Sequence, residues 1–161
     1  MTTESLFDTH AHVLSADTAR YPPSDEGRHG AAPPYTVEQL LADMDTCGVP
    51  HACAVQRFHH YFTDNRYVLD AARSSAARLT PVVMLDGRDE TAAAELRTLA
   101  KQQRLGALRL ATLRHTDYDT AWLDGPAALR LWEEAAKLAL PVCVIGYVRH
   151  LPSNLPAIGR L

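Results

Sequence analysis

Short apolar runs alternate with longer stretches in which apolar residues recur every three or four positions. Residues 5–8 open the pattern. Residues 51–56 (HACAVQ), 81–86 (PVVMLD), 106–111 (GALRLA) and 141–145 (PVCVI) continue it, each short, apolar and strand-like. Between them lie helical stretches. Thr36 is a good N-cap, Gln39 completes a capping box, and Val37, Leu40, Leu41 and Met44 form one stripe that Gly48 ends. Thr63-Asp64-Asn65 starts a second helix from Arg66 to about Ala77, and Asp89 caps a third with Ala92, Leu96 and Leu99 on its buried face. Asp124-Gly125-Pro126 opens a fourth, whose stripe reads Leu129, Trp132, Ala136 and Leu140. Residues 156–161 look like a fifth just beginning. Residues 13–35 hold four prolines and two glycines and predict a long irregular loop, of the kind that serves as a lid or binding loop.

The order βαβαβαβαβ(α) predicts an α/β fold with a parallel sheet covered by helices. Near-continuous apolar strands suit burial on both faces. A doubly wound sheet would carry a Gly-rich turn after its first strand. Here that place holds Asp8-Thr9-His10-Ala11-His12, which favours a (β/α)8 TIM-type barrel with its site at the C-terminal strand ends. Such a barrel needs about 250 residues. The 161 present are expected to be the N-terminal portion of one barrel, truncated to about the first five βα units. Two open sheet edges would then favour association into a homo-oligomer.

On a strand, His10 and His12 point the same way, with Asp8 beneath them. Two imidazoles at a strand end can hold one divalent metal or polarise one substrate oxygen. The alternative is a pair of solvated loop histidines. Composition narrows the function classes. A net charge of −3 lacks the basic face that nucleic acid requires, and no apolar run reaches the roughly 20 residues that span a bilayer. The N-terminus has no basic and apolar regions of a signal peptide. Cys47, Cys53 and Cys143 are odd in number and read as reduced, buried thiols of a cytoplasmic protein.

The residues Asp8-Thr9-His10-Ala11-His12, Tyr21-Pro22, Leu40-Leu41-Ala42-Asp43-Met44-Asp45 and Gly48-Val49 resemble the amidohydrolase-related (amidohydrolase 2) family. So do Ala54-Val55-Gln56, Asp64-Asn65-Arg66-Tyr67 and Gly106-Ala107-Leu108-Arg109-Leu110. The resemblance implies a (β/α)8 barrel of the amidohydrolase superfamily, among whose members are 2-pyrone-4,6-dicarboxylate lactonase, sugar lactonases and metal-dependent decarboxylases. It implies His10 and His12 as catalytic residues and as the metal ligands where zinc or manganese is bound. It also implies a later His and an aspartate base, both beyond residue 161. Metal-dependent members tend to carry a His at the end of the fifth strand, where this chain has Gly146, with His150 four residues on. Some lactonases of the group work without metal, so metal dependence stays open.

Arg109 alternates with Ala107 and Ala111 and would point into the barrel, to grip an anionic substrate or to form an internal ion pair with Asp8 or Asp86. Gln56 could orient a substrate carbonyl or water, or make a strand-end hydrogen bond. Asp86 could stand behind the histidines, or cap the next helix, which is the reading preferred here. His59 or His60, and Arg114 or His115, lie in loops on the active face. Arg57, Arg109 and Arg114 together would make a cationic mouth for a small carboxylated substrate. His29 and His51 read as surface or structural, and Met44, Trp122 and Trp132 as packing residues. The leading expectation is a hydrolase that opens a lactone or related carboxylic ester or amide bond. The alternatives are a metal-dependent decarboxylase of the same superfamily, a catalytically incomplete fragment, and, more distantly, a TatD-type nuclease.

Overall fold

In the computed structural model, residues 6–25, 32–111, 123–146, 155–156 and 158–159 are described. The fold is α/β, of the (β/α)8 type, with parallel strands alternating with helices in the sheet order β1-β2-β3-β4-β5. The chain divides into two units, Met1–Val83 and Met84–Leu161. No helix among the described residues is long and apolar enough to cross a membrane.

The first unit contains β1 (Phe7–Ala11), α1 (Val37–Cys47), β2 (His51–Val55), a short α2 (Phe58–Tyr61), α3 (Arg66–Ser74) and nearly all of β3 (Leu79–Met84). α1 follows its sequence closely. The Gln39 side chain accepts the Thr36 N–H at 2.8 Å, and Gly48 takes the left-handed conformation (φ 66°) that ends the helix. Val37, Leu40 and Met44 are buried in a core shared with Ala52, Tyr67 and Leu79. β3 begins two residues before the expected Pro81. The N–H groups of Ala52 and Gln56 donate to the carbonyls of Arg78 and Val82, so the ladder to β2 uses even-numbered residues and the missing N–H of Pro81 costs it nothing.

The first loop is anchored near its ends. Leu14 and Tyr35 form an antiparallel bridge, with hydrogen bonds of 2.7 and 3.0 Å. Tyr21 is buried, and its hydroxyl donates to Asp70 of α3 at 2.8 Å. Burial, followed by the hydrogen bond and negative charge of Asp70, pushes the Tyr21 phenol up to about 12. The side chain is therefore a neutral donor at physiological pH.

The second unit contains α4 (Ala92–Gln102), β4 (Ala107–Ala111), α5 (Pro126–Lys137) and β5 (Val142–Ile145), with β4 and β5 paired in parallel from Leu108↔Val142 to Ala111↔Ile145. Gly159 N–H donates to the Leu155 carbonyl at 2.9 Å, the i→i+4 bond of a helical turn where a fifth helix is expected.

Three expectations need correction. α5 buries Ala128, Leu131 and Ala135, whereas Leu129 is 41% exposed and Ala136 is also exposed. The helix carries two apolar stripes one residue out of phase, and its docking on α4 selects the one that includes Glu134. That carboxylate is buried and bonds Arg97 of α4 through both oxygens, at 2.9 and 2.6 Å. The charge sits among apolar residues, so a periodicity search passes over it. Cys47 and Cys143 are exposed and Cys53 is half-buried, all three as free thiols, because Cys47 closes α1 on its outer side and β5 is an outer strand. Burial on both faces holds for β3 and β4 but not for the two outer strands, where Phe7 of β1 is 51% exposed and Ile145 of β5 is 42% exposed.

The face of α5 is tested by a pair of substitutions. Leu131→Ala should cost about 2–5 kcal/mol in urea denaturation, and Leu129→Ala no more than about 0.5 kcal/mol. The reverse order would restore the stripe read from periodicity.

Candidate active site

The histidine pair stands where β1 ends. His10 lies within the strand and is exposed, and His12 is just beyond it and half-buried. β1 is not regular there: Asp8 pairs with Ala52 and Ala11 with Ala54, so the register shifts between them. The His10 N–H donates to Asp8 Oδ1 at 2.9 Å. The two rings meet edge to face, with centroids 4.8 Å apart, and their Nε2 atoms are 3.3 Å apart.

Val55 settles the chemistry of His12. Its carbonyl lies 2.8 Å from His12 Nδ1. A carbonyl can only accept, so Nδ1 carries the proton and the lone pair of the neutral ring sits on Nε2. That lone pair faces His10, whose Nε2–H can donate to it. The same separation suits a shared cation. Two bonds of about 2.0–2.1 Å at a tetrahedral angle place their nitrogens about 3.3–3.4 Å apart. A ligating histidine commonly donates its second N–H to a carbonyl, as His12 does. The pair thus fits two positions of a divalent metal. Among the described residues, no group of three or more His, Cys, Asp or Glu side chains is arranged to hold a metal ion.

Gln56 follows β2 and is 1% exposed. Its Nε2 donates to the carbonyls of Phe62 (3.2 Å) and Asp64 (2.6 Å), across the turn between α2 and α3. Phe62 has φ 54° and ψ −118°, a conformation that side chains with a Cβ rarely adopt. Such strain persists where surrounding bonds over-determine the backbone, and the Gln56 amide supplies two of them. His59 and His60 ride on α2 just before this turn, both half-buried. α2 is also tied to the first loop: the Ser15 N–H donates to the Tyr61 hydroxyl and the Ser24 N–H to the His60 carbonyl, each at 2.8 Å. Burial, and then the nearby Arg57 guanidinium, hold His60 below its ordinary value of 6.5.

Arg109 is 5% exposed on β4, between Leu108 and Leu110, which are fully buried. It belongs to the second unit. Asp86 accepts the Arg88 N–H at 2.9 Å and closes a local turn; it does not cap the next helix as expected, because α4 begins at Ala92 with Thr91 as its N-cap, and Asp89 instead accepts the Thr91 N–H at 2.8 Å. Arg114, His115, Trp122, His29 and His150 lie outside the described residues. Three features escaped the sequence reading. A backbone carbonyl has no sequence signal, and neither does the positive φ of Phe62. The third, the bond from Asp8 to the His10 N–H, had one in its i→i+2 spacing.

Residues 7–158 match the sequence model of the amidohydrolase family. Solved structures share the fold. One is from Acinetobacter baumannii, designated a probable 2-pyrone-4,6-dicarboxylic acid hydrolase and crystallised with citric acid. It is 22% identical with a TM-score of 0.78, over 95% of this chain and 54% of its own. A second hydrolase of that designation, from Pseudomonas putida, is 24% identical with a TM-score of 0.72, over 96% and 53%. A 5-carboxyvanillate decarboxylase from Novosphingobium aromaticivorans, complexed with manganese, is 14% identical with a TM-score of 0.62, over 86% and 49%. The chain spans about half the length of these structures. No curated protein matches the sequence.

The folded value of His60 lies below 6.5, so the unfolded chain takes up the proton first. The stability this neutral ring contributes is present above pH 6.5 and drains as pH falls through 6.5 toward the folded value. Urea midpoints measured between pH 7.5 and 5 should fall less steeply in His60→Gln than in the wild type. Parallel curves would show that His60 titrates as a solvated ring.

Proposed function

This chain belongs to the amidohydrolase family, and on that premise we propose that it carries the first-strand histidines of a hydrolase that opens a lactone, or a related carboxylic ester or amide bond, in a small carboxylated substrate. One observation carries the reading: two imidazole nitrogens 3.3 Å apart, one of them on a ring whose tautomer a backbone carbonyl fixes. In this reading His10 and His12 would hold a zinc or manganese ion, which supplies a Lewis acid for the scissile carbonyl and lowers the pKa of bound water.

The chain's own residues then have distinct tasks. His12, held by Val55, keeps its Nε2 directed at His10 without reorganising as charge develops. Arg109, and Arg114 after the same strand, would receive a substrate carboxylate, since a guanidinium matches its two oxygens. The guanidinium of Arg109 is removed from bulk water, which strengthens that attraction. Gln56 and His59 would line the substrate side of the β2 end, with Gln56 setting the turn that follows α2. Support for a carboxylated ligand comes from the Acinetobacter structure, which was crystallised with citric acid.

The test uses the protein expressed from its own gene, with carboxylated lactones as substrates and proton release as the readout. His10→Ala and His12→Ala should each lower kcat/KM by at least about 100-fold, and prior chelation should do the same if the metal is required. Unchanged turnover in either variant would remove the proposal. Release of CO2 from carboxylated aromatics in place of lactone opening would assign the chain to the decarboxylases.

A further inference from the structure

Parallel strands seldom bulge, yet β1 bulges beside its histidines. Thr9 and His10 together face Cys53 of β2, because Asp8 pairs with Ala52 and Ala11 with Ala54. Bulged residues leave the ladder, and their backbone groups need partners from elsewhere. The His10 N–H has one in Asp8 Oδ1, at 2.9 Å. The bond joins a side chain to the backbone two residues on, so the carboxylate folds the chain back on itself over the bulge.

The effect is on distance. How closely two side chains on one face of a strand approach at their tips depends on the backbone that carries them, and the ring nitrogens of His10 and His12 stand at 3.3 Å. We propose that Asp8 is a positioning residue, whose carboxylate holds the bulge that brings the two imidazoles to a chelating separation. The proposal rests on the metal-holding reading above and deepens it. Asp8 acts through the backbone of His10, so what it must supply is an acceptor at the right distance, and its negative charge is secondary.

That distinction fixes the variants. Asp8→Asn keeps an acceptor oxygen at the same position and loses the charge. Asp8→Glu keeps the charge and displaces the acceptor by one methylene. Asp8→Ala loses both. Asp8 is exposed, so all three are expected to fold. Each protein is titrated with Co2+ alone, alongside the wild type and His10→Ala. The NOE between the His10 and His12 rings is recorded in the metal-free state. Asp8→Ala and Asp8→Glu should bind Co2+ roughly 10- to 100-fold more weakly and lose the ring-to-ring NOE. Asp8→Asn should stay within about threefold of the wild type and keep it. Wild-type affinity and NOE in Asp8→Ala and Asp8→Glu would overturn the proposal, and so would an Asp8→Asn that falls with them. Co2+ affinity in His10→Ala equal to the wild type would remove the metal reading alone, because the metal-free NOE series still decides whether Asp8 positions the rings.

Discussion

The bond from His12 Nδ1–H to the Val55 carbonyl joins the end of β1 to the end of β2, and the chemistry of the site follows from it. It fixes which nitrogen carries the proton, and so directs the other toward His10. A hydrogen bond between two side chains could break and re-form with solvent. A backbone carbonyl at the end of a paired strand cannot turn away without unpairing the ladder, in which Val55 is in register with Val82. The ring is therefore oriented by the sheet itself.

The same strand end organises the other side of the site. Gln56, the next residue, sends its amide to the Phe62 and Asp64 carbonyls and holds the backbone in a conformation it would otherwise leave. The first loop then fastens to α2 through Ser15 and Ser24, and to α3 through Tyr21. A loop expected to be a lid or a binding loop is tied down along its first part. In the framework of the proposed hydrolase, that segment serves as a wall, and preorganised walls lower the cost of orienting a substrate.

The fold was legible because its local rules agree with one another. The Thr36 cap, the Gln39 box and the Gly48 stop bound one helix, and the strand-length apolar runs between helices leave little choice but a parallel sheet. Legibility failed where two patterns coexist. In α5 the apolar residues supply two stripes, and only tertiary contact with α4, with Glu134 bonded to Arg97, chooses between them. For the site, Asp8-Thr9-His10-Ala11-His12 announced the pair, and its spacing carried the hint of the Asp8 bond. The bulge, the Val55 carbonyl and the strained Phe62 are backbone facts that side-chain patterns do not encode.

The orientation of His12 can be read directly from its ring nitrogens in uniformly 15N-labelled, metal-free protein, by long-range 15N–1H correlation above pH 7.5. The expected result is a protonated Nδ1 and an unprotonated Nε2, with both His10 and His12 Nε2 resonances moving on addition of one equivalent of Zn2+. A His12 that carries its proton on Nε2, or exchanges freely between tautomers, would mean that Val55 does not hold it. The pair would then be two solvated histidines at a strand end.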